Sequence, residues 1–444
     1  MQNFSWNPVF NEVMRLKEAY TSLNLTNDVP SICDPDGFKT CIDRWIAATN
    51  DTFWSEVRPF LNIKQYKNAV LFKYGNLAML SDLAESMGMS TSDELWGAWN
   101  YFLTYCRSIT IDVDREIILT APFDKFFNIN ELQITSWDHV KNLMDHAKNI
   151  EFSNKLDGSI CIARYIPEDL DFIVTSSGSL NESEENATVL RDIKQMFFSA
   201  ENEALREFVK AYRDYTCMFE YIAVDNPIVV RYKKDDEGLY LIGMRNIYIG
   251  AMCDYKTLQL VADRYQIKVT SVFHGSLDDV MEVIRTKKSD EMEGFVINID
   301  GQLFKLKTDD YVQVHKILSR LSAPNVIVQA IADEIYDDLL AKVPEPYRPE
   351  IKKVGKIIYE WVEYMENRTA EYFAIAPKED KKTFMVWVTN NVPSDIQGAV
   401  RNLYLGRTNN FLKRERGTGN YQYTRMSQID PDYMDKIGSW GEEE

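Results

Sequence analysis

The sequence of 444 residues lacks several features that would place it in whole classes of protein. No apolar run approaches the roughly 20 residues that a membrane-spanning helix needs. Residues 1–4 (M-Q-N-F) do not begin a basic and apolar export signal. Only four histidines occur and no Cys-x-x-Cys pair is found, so a zinc site is not expected. We therefore expect a cytoplasmic protein with no membrane partner.

Cysteine is also sparse, at six residues in a long chain. These residues are Cys33, Cys41, Cys106, Cys161, Cys217 and Cys253. Their scattered spacing is typical of reduced thiols and not of a disulfide framework.

Positive charge is in deficit, because 50 lysines and arginines face 68 acidic residues and the net charge is −18. A chain with this balance repels phosphate overall, so a nucleic-acid partner would need a local basic cluster. The strongest cluster lies near the C-terminus and is interleaved with aromatic residues, a mixture suited to phosphate contacts and base stacking. Its basic members are Arg401, Arg407, Lys413, Arg414 and Arg416. A solvated helix face and a polar tail are the alternative interpretation.

Hydrophobic periodicity divides the chain into three parts. Residues 1–100 predict a mostly helical extension, and residues 101–315 predict short strands with intervening helices. Residues 316–444 predict an all-helical C-terminal domain, which the helical spacing of 350–372 illustrates best. The expected fold class is therefore α+β.

The sharpest motif is K-L-D-G-S at residues 155–159, directly before an alternating strand pattern. Asp-Gly and Gly-Ser are turn formers, so a simple turn before a strand is one interpretation. The other is that Lys155 is a nucleophilic amine, which has to be uncharged to attack. Neighbouring cations or burial would favour the uncharged form.

A second motif supplies such cations. Residues 296–307 predict a β-hairpin with a two-residue turn, Asp300-Gly301. Lys305 and Lys307 then share one strand face, which indicates either a solvated surface or a phosphate-binding face. Strict alternation places Glu293 on the opposite face. If Glu293 acts with the lysines, Gly294 has to form a bulge or Glu293 has to precede the regular pairing.

A third motif, M-F-E-Y-I at 218–222, places Glu220 among apolar residues on a predicted strand. Such a carboxylate needs a partner. A buried ion pair, a ribose hydroxyl and a metal ion are the candidates.

The order K-x-D-G-S, F-E-Y-I, E-G-F-V and F-K-L-K resembles the covalent nucleotidyltransferase superfamily of polynucleotide ligases and capping enzymes. Residues 105–110 (Y-C-R-S-I-T), 122–131 (P-F-D-K-F-F-N-I-N-E) and 219–230 (F-E-Y-I-A-V-D-N-P-I-V-V) narrow the resemblance. They are similar to the ATP-dependent, tRNA-repair RNA ligases of T-even bacteriophages. The resemblance covers roughly residues 100–315.

This resemblance implies a ligase domain of antiparallel sheets with flanking helices, and three chemical steps. A lysine attacks the α-phosphorus of ATP, the AMP passes to an RNA 5′-phosphate, and a 3′-hydroxyl then displaces AMP. It further implies Mg²⁺ or Mn²⁺, a phage origin, a monomer, and RNA such as tRNA with a broken anticodon loop as partner. A separate end-healing kinase/phosphatase would prepare the RNA ends.

The resemblance also implies a role for each matching residue. Lys155 would carry AMP, Gly158 would allow the nucleotide to approach, Phe127 would pack near it, and Glu220 would hold the ribose. Phosphate contacts are implied for Arg107, Lys125, Lys305 and Lys307. The last two would also lower the pKa of Lys155. Glu293, with Asp157, would bind the metal ion.

Three departures from the phage pattern stand out. Where those ligases carry lysines around a Gly-Ser turn, residues 174–179 read V-T-S-S-G-S. The N-terminal part is longer by about fifty residues, judged from where the shared motifs begin. The C-terminal region has no motif-level match.

Two other functions remain open. A DNA ligase or an mRNA guanylyltransferase would carry an OB-fold of β-strands after the last lysine motif, whereas residues 313–372 predict helices. A non-catalytic RNA-binding protein on a ligase scaffold would not need the lysines and glutamates of all four motifs.

Overall fold

The computed structural model describes residues 4–22, 37–75, 102–184, 187–224, 228–312, 324–343, 348–415 and 421–431. The chain forms two compact units, residues 1–311 and 312–443. The three-part division at residues 100 and 315 stays a prediction.

The first unit contains three four-stranded antiparallel sheets with helices packed against them. Its helices are α1 (Pro8–Ser22), α2 (Gly37–Thr49), α3 (Thr52–Val57), α4 (Trp137–His146), α5 (Thr188–Phe197), α6 (Glu203–Ala211), α7 (Tyr255–Tyr265) and α8 (Leu277–Thr286). Its strands are β1 (Leu61–Tyr66), β2 (Ala69–Tyr74), β3 (Arg107–Asp112), β4 (Ile117–Thr120), β5 (Ile150–Lys155), β6 (Ser159–Ile166), β7 (Asp171–Thr175), β8 (Tyr215–Ile222), β9 (Gly238–Asn246), β10 (Val272–Phe273), β11 (Gly294–Ile299) and β12 (Gln302–Lys307). The mixed helix and antiparallel-sheet class is therefore confirmed.

The first sheet, in the order β1-β2-β3-β4, combines the N-terminal part with β3 and β4. Helices α1 and α2 bury Val13 and Ile42 against its Phe72 and Ile111. The hairpin β1–β2 differs from the helical pattern expected before residue 100. Its turn residue Lys67 adopts φ +53° without the Gly that marks most two-residue hairpin turns, so local sequence carries little sign of the hairpin.

The second sheet has the order β10-β5-β11-β12, and one of its faces is apolar. Phe152, Ile297 and Phe304 pack there with Val140 of α4 and Val280 of α8. The predicted hairpin is present with Ile299 opposite Gln302. Asp300 (φ +50°) and Gly301 (φ +96°) form its turn, in which both residues need positive φ.

The third sheet has the order β7-β6-β8-β9 and is covered by α5, α6 and α7. Phe197, Phe208 and Val261 from these helices pack against Cys161 and Phe219. This core fixes the position of Ser159, where β6 starts. It therefore also fixes one end of the loop that follows Lys155.

The second unit is mainly helical. Its helices are α9 (Pro324–Ala332), α10 (Tyr336–Lys342), α11 (Arg348–Ile375), α12 (Lys381–Asn391), α13 (Gln397–Tyr404) and α14 (Met426–Ile429). A short hairpin of β13 (Lys413–Glu415) and β14 (Tyr421–Tyr423) corrects the expectation of an all-helical region. Three-residue strands are too short to show a clear alternation in the sequence.

The sequence predicts neither a membrane-spanning helix nor a disulfide framework. Among the helices that are described, none combines the length and the apolar composition needed to cross a membrane. The five described cysteines are free thiols, and Cys33 lies outside the described residues.

Candidate functional site

The predicted nucleophile and one predicted phosphate-binding lysine flank the same residue of the second sheet. Gly294 on β11 is the pairing partner of Lys155 on β5 and of Lys307 on β12. Paired residues of neighbouring strands point to the same face, so both lysines project from the face opposite the apolar core. Lys305 pairs with Val296, two residues along β11, and shares that face. The predicted common face of Lys305 and Lys307 is therefore present.

Glu293 joins the two flanking lysines. Its Oε2 lies 2.7 Å from Nζ of Lys155, and its Oε1 lies 3.3 Å from Nζ of Lys307. The glutamate side chain is only 1% exposed, against 18% for Lys155 and 15% for Lys307. A buried carboxylate needs such partners, because removal from water is costly for a lone charge.

The position of Glu293 follows from where β11 begins. The strand starts at Gly294, so Glu293 precedes the regular pairing, which is one of the two arrangements that the sequence allowed. Gly294 has φ +153°, and a Cβ there would lie 2.1 Å from the carbonyl oxygen of Leu306. Glycine is therefore required at this position, and its backbone turns Glu293 toward the lysine face.

A chain segment beside β12 brings two more predicted residues to this site. The Lys305 backbone N–H donates to the Phe127 carbonyl (2.9 Å), and the Ile129 N–H donates to the Lys305 carbonyl (2.9 Å). Residues 127–129 thus extend the sheet edge next to Lys305. Lys125, two residues earlier, is 9% exposed, and its ammonium lies 5.4 Å from the Phe127 ring centre.

Phe126 lies between two of the predicted cations. The Arg107 guanidinium is 4.9 Å from its ring centre and the Lys305 ammonium is 5.1 Å away. Arg107 also donates to the Asp124 carbonyl at 3.4 Å. Cations over an aromatic face are stabilised by the ring quadrupole, and this holds two like charges near each other. Sequence reasoning did not assign a role to Phe126, although it lies inside the 122–131 motif.

Asp157 supports the loop after Lys155. Its Oδ2 accepts hydrogen bonds from the Val229 and Val230 N–H groups, both 2.7 Å long, and its Oδ1 accepts one from the Tyr311 hydroxyl at 2.9 Å. Burial, with a smaller contribution from the charge of Glu293, raises the pKa of Asp157 to about 6. Tyr311 is a further residue that sequence reasoning missed, because no local pattern marks it.

Gly158 and Glu220 are in direct contact. The Gly158 N–H donates to Oε1 of Glu220 at 3.1 Å, so this carboxylate accepts a backbone hydrogen bond. A Cβ on Gly158 would lie 2.3 Å from the Tyr221 carbonyl oxygen. The absence of a side chain at residue 158 therefore lets the Lys155 loop pack against β8.

Glu293 and Asp157 are the carboxylates that could hold a metal ion near Lys155. Among the described residues, no group of three or more His, Cys, Asp or Glu side chains is placed to hold a metal ion. Mg²⁺ commonly uses one or two carboxylates together with water and phosphate oxygens, so Glu293 alone suits such a site. Asp157 already accepts three hydrogen bonds from protein donors, and its metal role stays a prediction without geometric support.

The predicted RNA-binding residues lie in the second unit and differ in their surroundings. Lys413 pairs with Asp333 at 2.6 Å, and the Arg401 guanidinium donates to Oγ1 of Thr389 at 2.9 Å. The hydrogen bond to Asp333 raises the pKa of Lys413. Arg407 and Arg414 are exposed, and Arg416 lies outside the described residues.

Comparison with known proteins gives a family match over the region that contains this site. Residues 105–312 match the family described as RNA ligase. A protein of Autographa californica nuclear polyhedrosis virus, named as a candidate bifunctional polynucleotide kinase/RNA ligase, is 28% identical over 249 residues. The match covers 54% of this chain and 35% of the viral protein, so the chain spans about a third of that relative. The predicted resemblance to RNA ligases is therefore confirmed.

Two of the solved structures that resemble this chain illustrate how weak the likeness is. An archaeal ATP-dependent RNA ligase shares 13% identity with a TM-score of 0.37, and the match covers 80% of this chain and 98% of that one. A Naegleria gruberi RNA ligase variant, solved with ATP and Mn, shares 14% identity with a TM-score of 0.30, covering 40% and 54%. The resemblance to RNA ligases rests on the sequence match over residues 105–312 and not on these likenesses.

Proposed function

We propose that this chain, whose residues 105–312 match the RNA ligase family, is an ATP-dependent RNA ligase that joins 5′-phosphate and 3′-hydroxyl RNA ends. One observation carries the proposal. Lys155, the lysine of the K-x-D-G-S motif, contacts Glu293 within a face that also presents Lys305 and Lys307. Motifs that are distant in sequence thus supply one set of charged groups.

Lys155 is the proposed nucleophile. Its Nζ would attack the α-phosphorus of ATP, the bond to the bridging oxygen would break, and pyrophosphate would leave. The amine has to give up a proton before it attacks. It also has to leave its ion pair with Glu293, since a nitrogen held 2.7 Å from a carboxylate is not directed at phosphorus.

The surrounding cations would neutralise the phosphates. Phosphoryl transfer depends mainly on alignment and on compensation of negative charge, and side chains held in fixed positions do both. Lys307 and Lys305 would contact the α-phosphate, while Arg107 and Lys125 would contact other phosphate oxygens. The shared contact with Phe126 helps to hold Lys305 and Arg107 in place for this role.

Glu293 would hold a divalent cation, Mg²⁺ or Mn²⁺, once the lysines have moved to the phosphates. Bound there, the ion would withdraw charge from the phosphate oxygens. Glu220 would accept a hydrogen bond from a ribose hydroxyl while it keeps the Gly158 N–H. We assign to Asp157 the support of the loop after Lys155, because its oxygens already accept hydrogen bonds from Val229, Val230 and Tyr311.

In the later steps the AMP would pass from Lys155 to an RNA 5′-phosphate, and a 3′-hydroxyl would displace it. We propose RNA repair in the cytoplasm as the role, by a monomer, with tRNA broken in its anticodon loop as one substrate and a separate kinase/phosphatase as supplier of the ends. The helices α9 to α13 after β12 favour an RNA ligase over enzymes that carry an OB-fold at this place.

The test is incubation with ATP or GTP labelled on the α-phosphate, followed by a denaturing gel. Wild type is expected to become labelled by ATP and to lose the label on addition of pyrophosphate. Lys155→Ala and Lys155→Arg should both remain unlabelled. The arginine keeps the charge that pairs with Glu293, so it separates loss of the nucleophile from loss of the ion pair.

Labelling of Lys155→Ala would contradict the assignment of the nucleophile, and labelling by GTP alone would indicate a guanylyltransferase. Sealing is then measured on a nicked anticodon stem-loop, an unstructured RNA and a DNA of equal sequence. Preferential sealing of DNA would overturn the RNA assignment. A labelled enzyme that seals none of them would indicate a different nucleotidyl acceptor.

A further inference from the structure

The turn after β7 lies at the same end of the third sheet as the Lys155 loop. Thr175 pairs with Ile162 in the antiparallel β6–β7 pair, so residues 176–179 continue alongside the start of β6 at Ser159. The turn is closed by a hydrogen bond from the Ser176 N–H to the Ser179 carbonyl (3.1 Å). In addition, the Ser108 hydroxyl donates to the Ser177 carbonyl, which ties the turn to β3.

A lysine from the N-terminal hairpin reaches this turn. The Lys73 ammonium lies 3.5 Å from the point where a Cβ of Gly178 would be. Lys73 is half-buried on β2, and its partner across the sheet is Arg107 on β3. The turn contains no basic residue of its own. Its nearby positive charge is that of Lys73 on β2.

Lys73 is in register with Arg107 across β2 and β3, next to a register shift between Phe72 and Lys73, so two cations occupy neighbouring positions of the sheet. A phosphate accepts charge-assisted hydrogen bonds from several cations at once, so cations from two neighbouring strands suit one phosphate group. Tyr74, the next residue of β2, contacts the Lys125 ammonium (5.2 Å), so this hairpin adjoins the proposed phosphate site.

We infer that Lys73 is a further phosphate-binding residue of the site, and that the N-terminal hairpin contributes it. This inference rests on the proposed function. The ligand is a phosphate group, and two substrates carry one: the triphosphate of ATP and the 5′-phosphate end of the RNA.

The experiment compares Lys73→Ala and Lys73→Arg with wild type in two arms. The first arm measures the rate of self-labelling against ATP concentration. The second measures sealing of RNA that is already adenylated, without ATP. Lys73→Ala should raise the half-saturating concentration about tenfold or more in the arm whose phosphate it binds, because a charge-assisted hydrogen bond is removed. Lys73→Arg should stay within about threefold of wild type, because it keeps the charge.

Lys67→Asn is the matched control. Lys67 is an exposed lysine in the turn of the same hairpin, and asparagine tolerates its φ of +53°. It should behave as wild type in both arms. A purely structural role of Lys73 would lower the maximal rate and the melting temperature without raising the half-saturating concentration, and that result would overturn the inference.

A binding measurement without turnover separates this inference from the proposed function. Inorganic tripolyphosphate should raise the melting temperature of wild type and of Lys67→Asn more than that of Lys73→Ala. An equal rise in all three proteins together with unchanged half-saturation in both arms would contradict the role of Lys73 while wild-type labelling still supports the ligase. If wild type is not labelled by ATP, the proposed function itself is wrong.

Discussion

Lys155 and Lys307 contact the two oxygens of one buried carboxylate, Glu293. Breaking a buried ion pair by removing one partner typically costs about 3–5 kcal/mol, since the remaining charge is left uncompensated. The contact therefore holds the two lysines in position. Both lysine side chains keep some exposure, so in the proposed reaction a phosphate would replace the carboxylate as their partner.

The raised pKa of Asp157 predicts how the free energy of unfolding changes with pH. Its pKa of about 6 in the folded chain is above the ordinary 3.8, so the folded state holds this proton more tightly than the unfolded one. The associated stabilisation is complete below about pH 4 and is lost as the pH rises through 6. A shift of about two units corresponds to about 3 kcal/mol.

The variant Asp157→Asn should reveal this contribution. An asparagine oxygen can accept from Val229 and Val230, and its amide can donate to the Tyr311 oxygen. The free energy of unfolding of Asp157→Asn minus that of wild type should increase by up to about 3 kcal/mol between pH 4 and pH 7. Denaturant titrations at several pH values measure it. A difference that is constant or decreases over this range would contradict the raised pKa.

At the scale of the element, β11 is the strand on which the site depends. It pairs with β5 on one side and β12 on the other, and so it sets the register of Lys155 against Lys307. Since one step in register moves every side chain to the opposite face, a slip of β11 would place Asn298 in the apolar core and remove Phe295, Ile297 and Ile299 from it. The apolar face with Ile297 and Phe304 excludes that slip.

Gly294→Ala tests the start of this strand. The added Cβ would meet the Leu306 carbonyl oxygen at 2.1 Å, and φ +153° is costly for alanine. We expect a loss of about 2 kcal/mol or more in stability and a strong fall in self-labelling, because Glu293 would be displaced. Gly301→Ala, in the turn of the same hairpin, is the control, since nothing lies within 4 Å of its added Cβ.

Gly301→Ala also has positive φ, so it should lose about 1 kcal/mol of stability and keep normal labelling. Melting temperatures and labelling rates are measured for both variants. If Gly294→Ala labels as fast as Gly301→Ala, the backbone at residue 294 does not place Glu293.

At the scale of the whole molecule, a net charge of −18 opposes binding of a polyanion. The proposed site would counter it with cations from separate parts of the sequence, namely Lys73, Arg107, Lys125, Lys155, Lys305 and Lys307. The second unit carries the other basic cluster. Its Lys413 is already paired with Asp333, so the exposed Arg407 and Arg414 are the better candidates for RNA phosphates.

We predict that RNA affinity falls steeply with salt and that Arg407→Glu with Arg414→Glu lowers it about tenfold or more at low salt. The slope of log affinity against log salt should become shallower by roughly 0.7 for each RNA phosphate that the variant no longer neutralises. Lys352→Glu with Lys356→Glu, in α11 and outside the cluster, is the control, because it makes the same change in net charge. Binding is measured with labelled single-stranded RNA. Equal decreases in affinity for both proteins would indicate a general charge effect and no specific site.

Sequence pattern was sufficient where local chemistry decides the structure. The hairpin predicted at 296–307 and the common face of Lys305 and Lys307 follow from alternation and turn residues. The order of four short motifs indicated the nucleotidyltransferase superfamily, and residues 105–110, 122–131 and 219–230 narrowed the resemblance to RNA ligases, the family that residues 105–312 match. The hairpin β1–β2 was not predicted, because its turn lacks glycine and the hydrophobic spacing over residues 1–100 favoured helices.

The sequence by itself determined which groups are available: a lysine in a K-x-D-G-S loop, two lysines on one strand face, and glutamates that need partners. Tertiary structure decided which of them meet. The contact of Glu293 with Lys155, the position of Phe126 between Arg107 and Lys305, and the reach of Lys73 to Gly178 all depend on pairing between strands distant in sequence. Alternation along one strand fixes only which face a side chain takes, whereas register across strands fixes its neighbours.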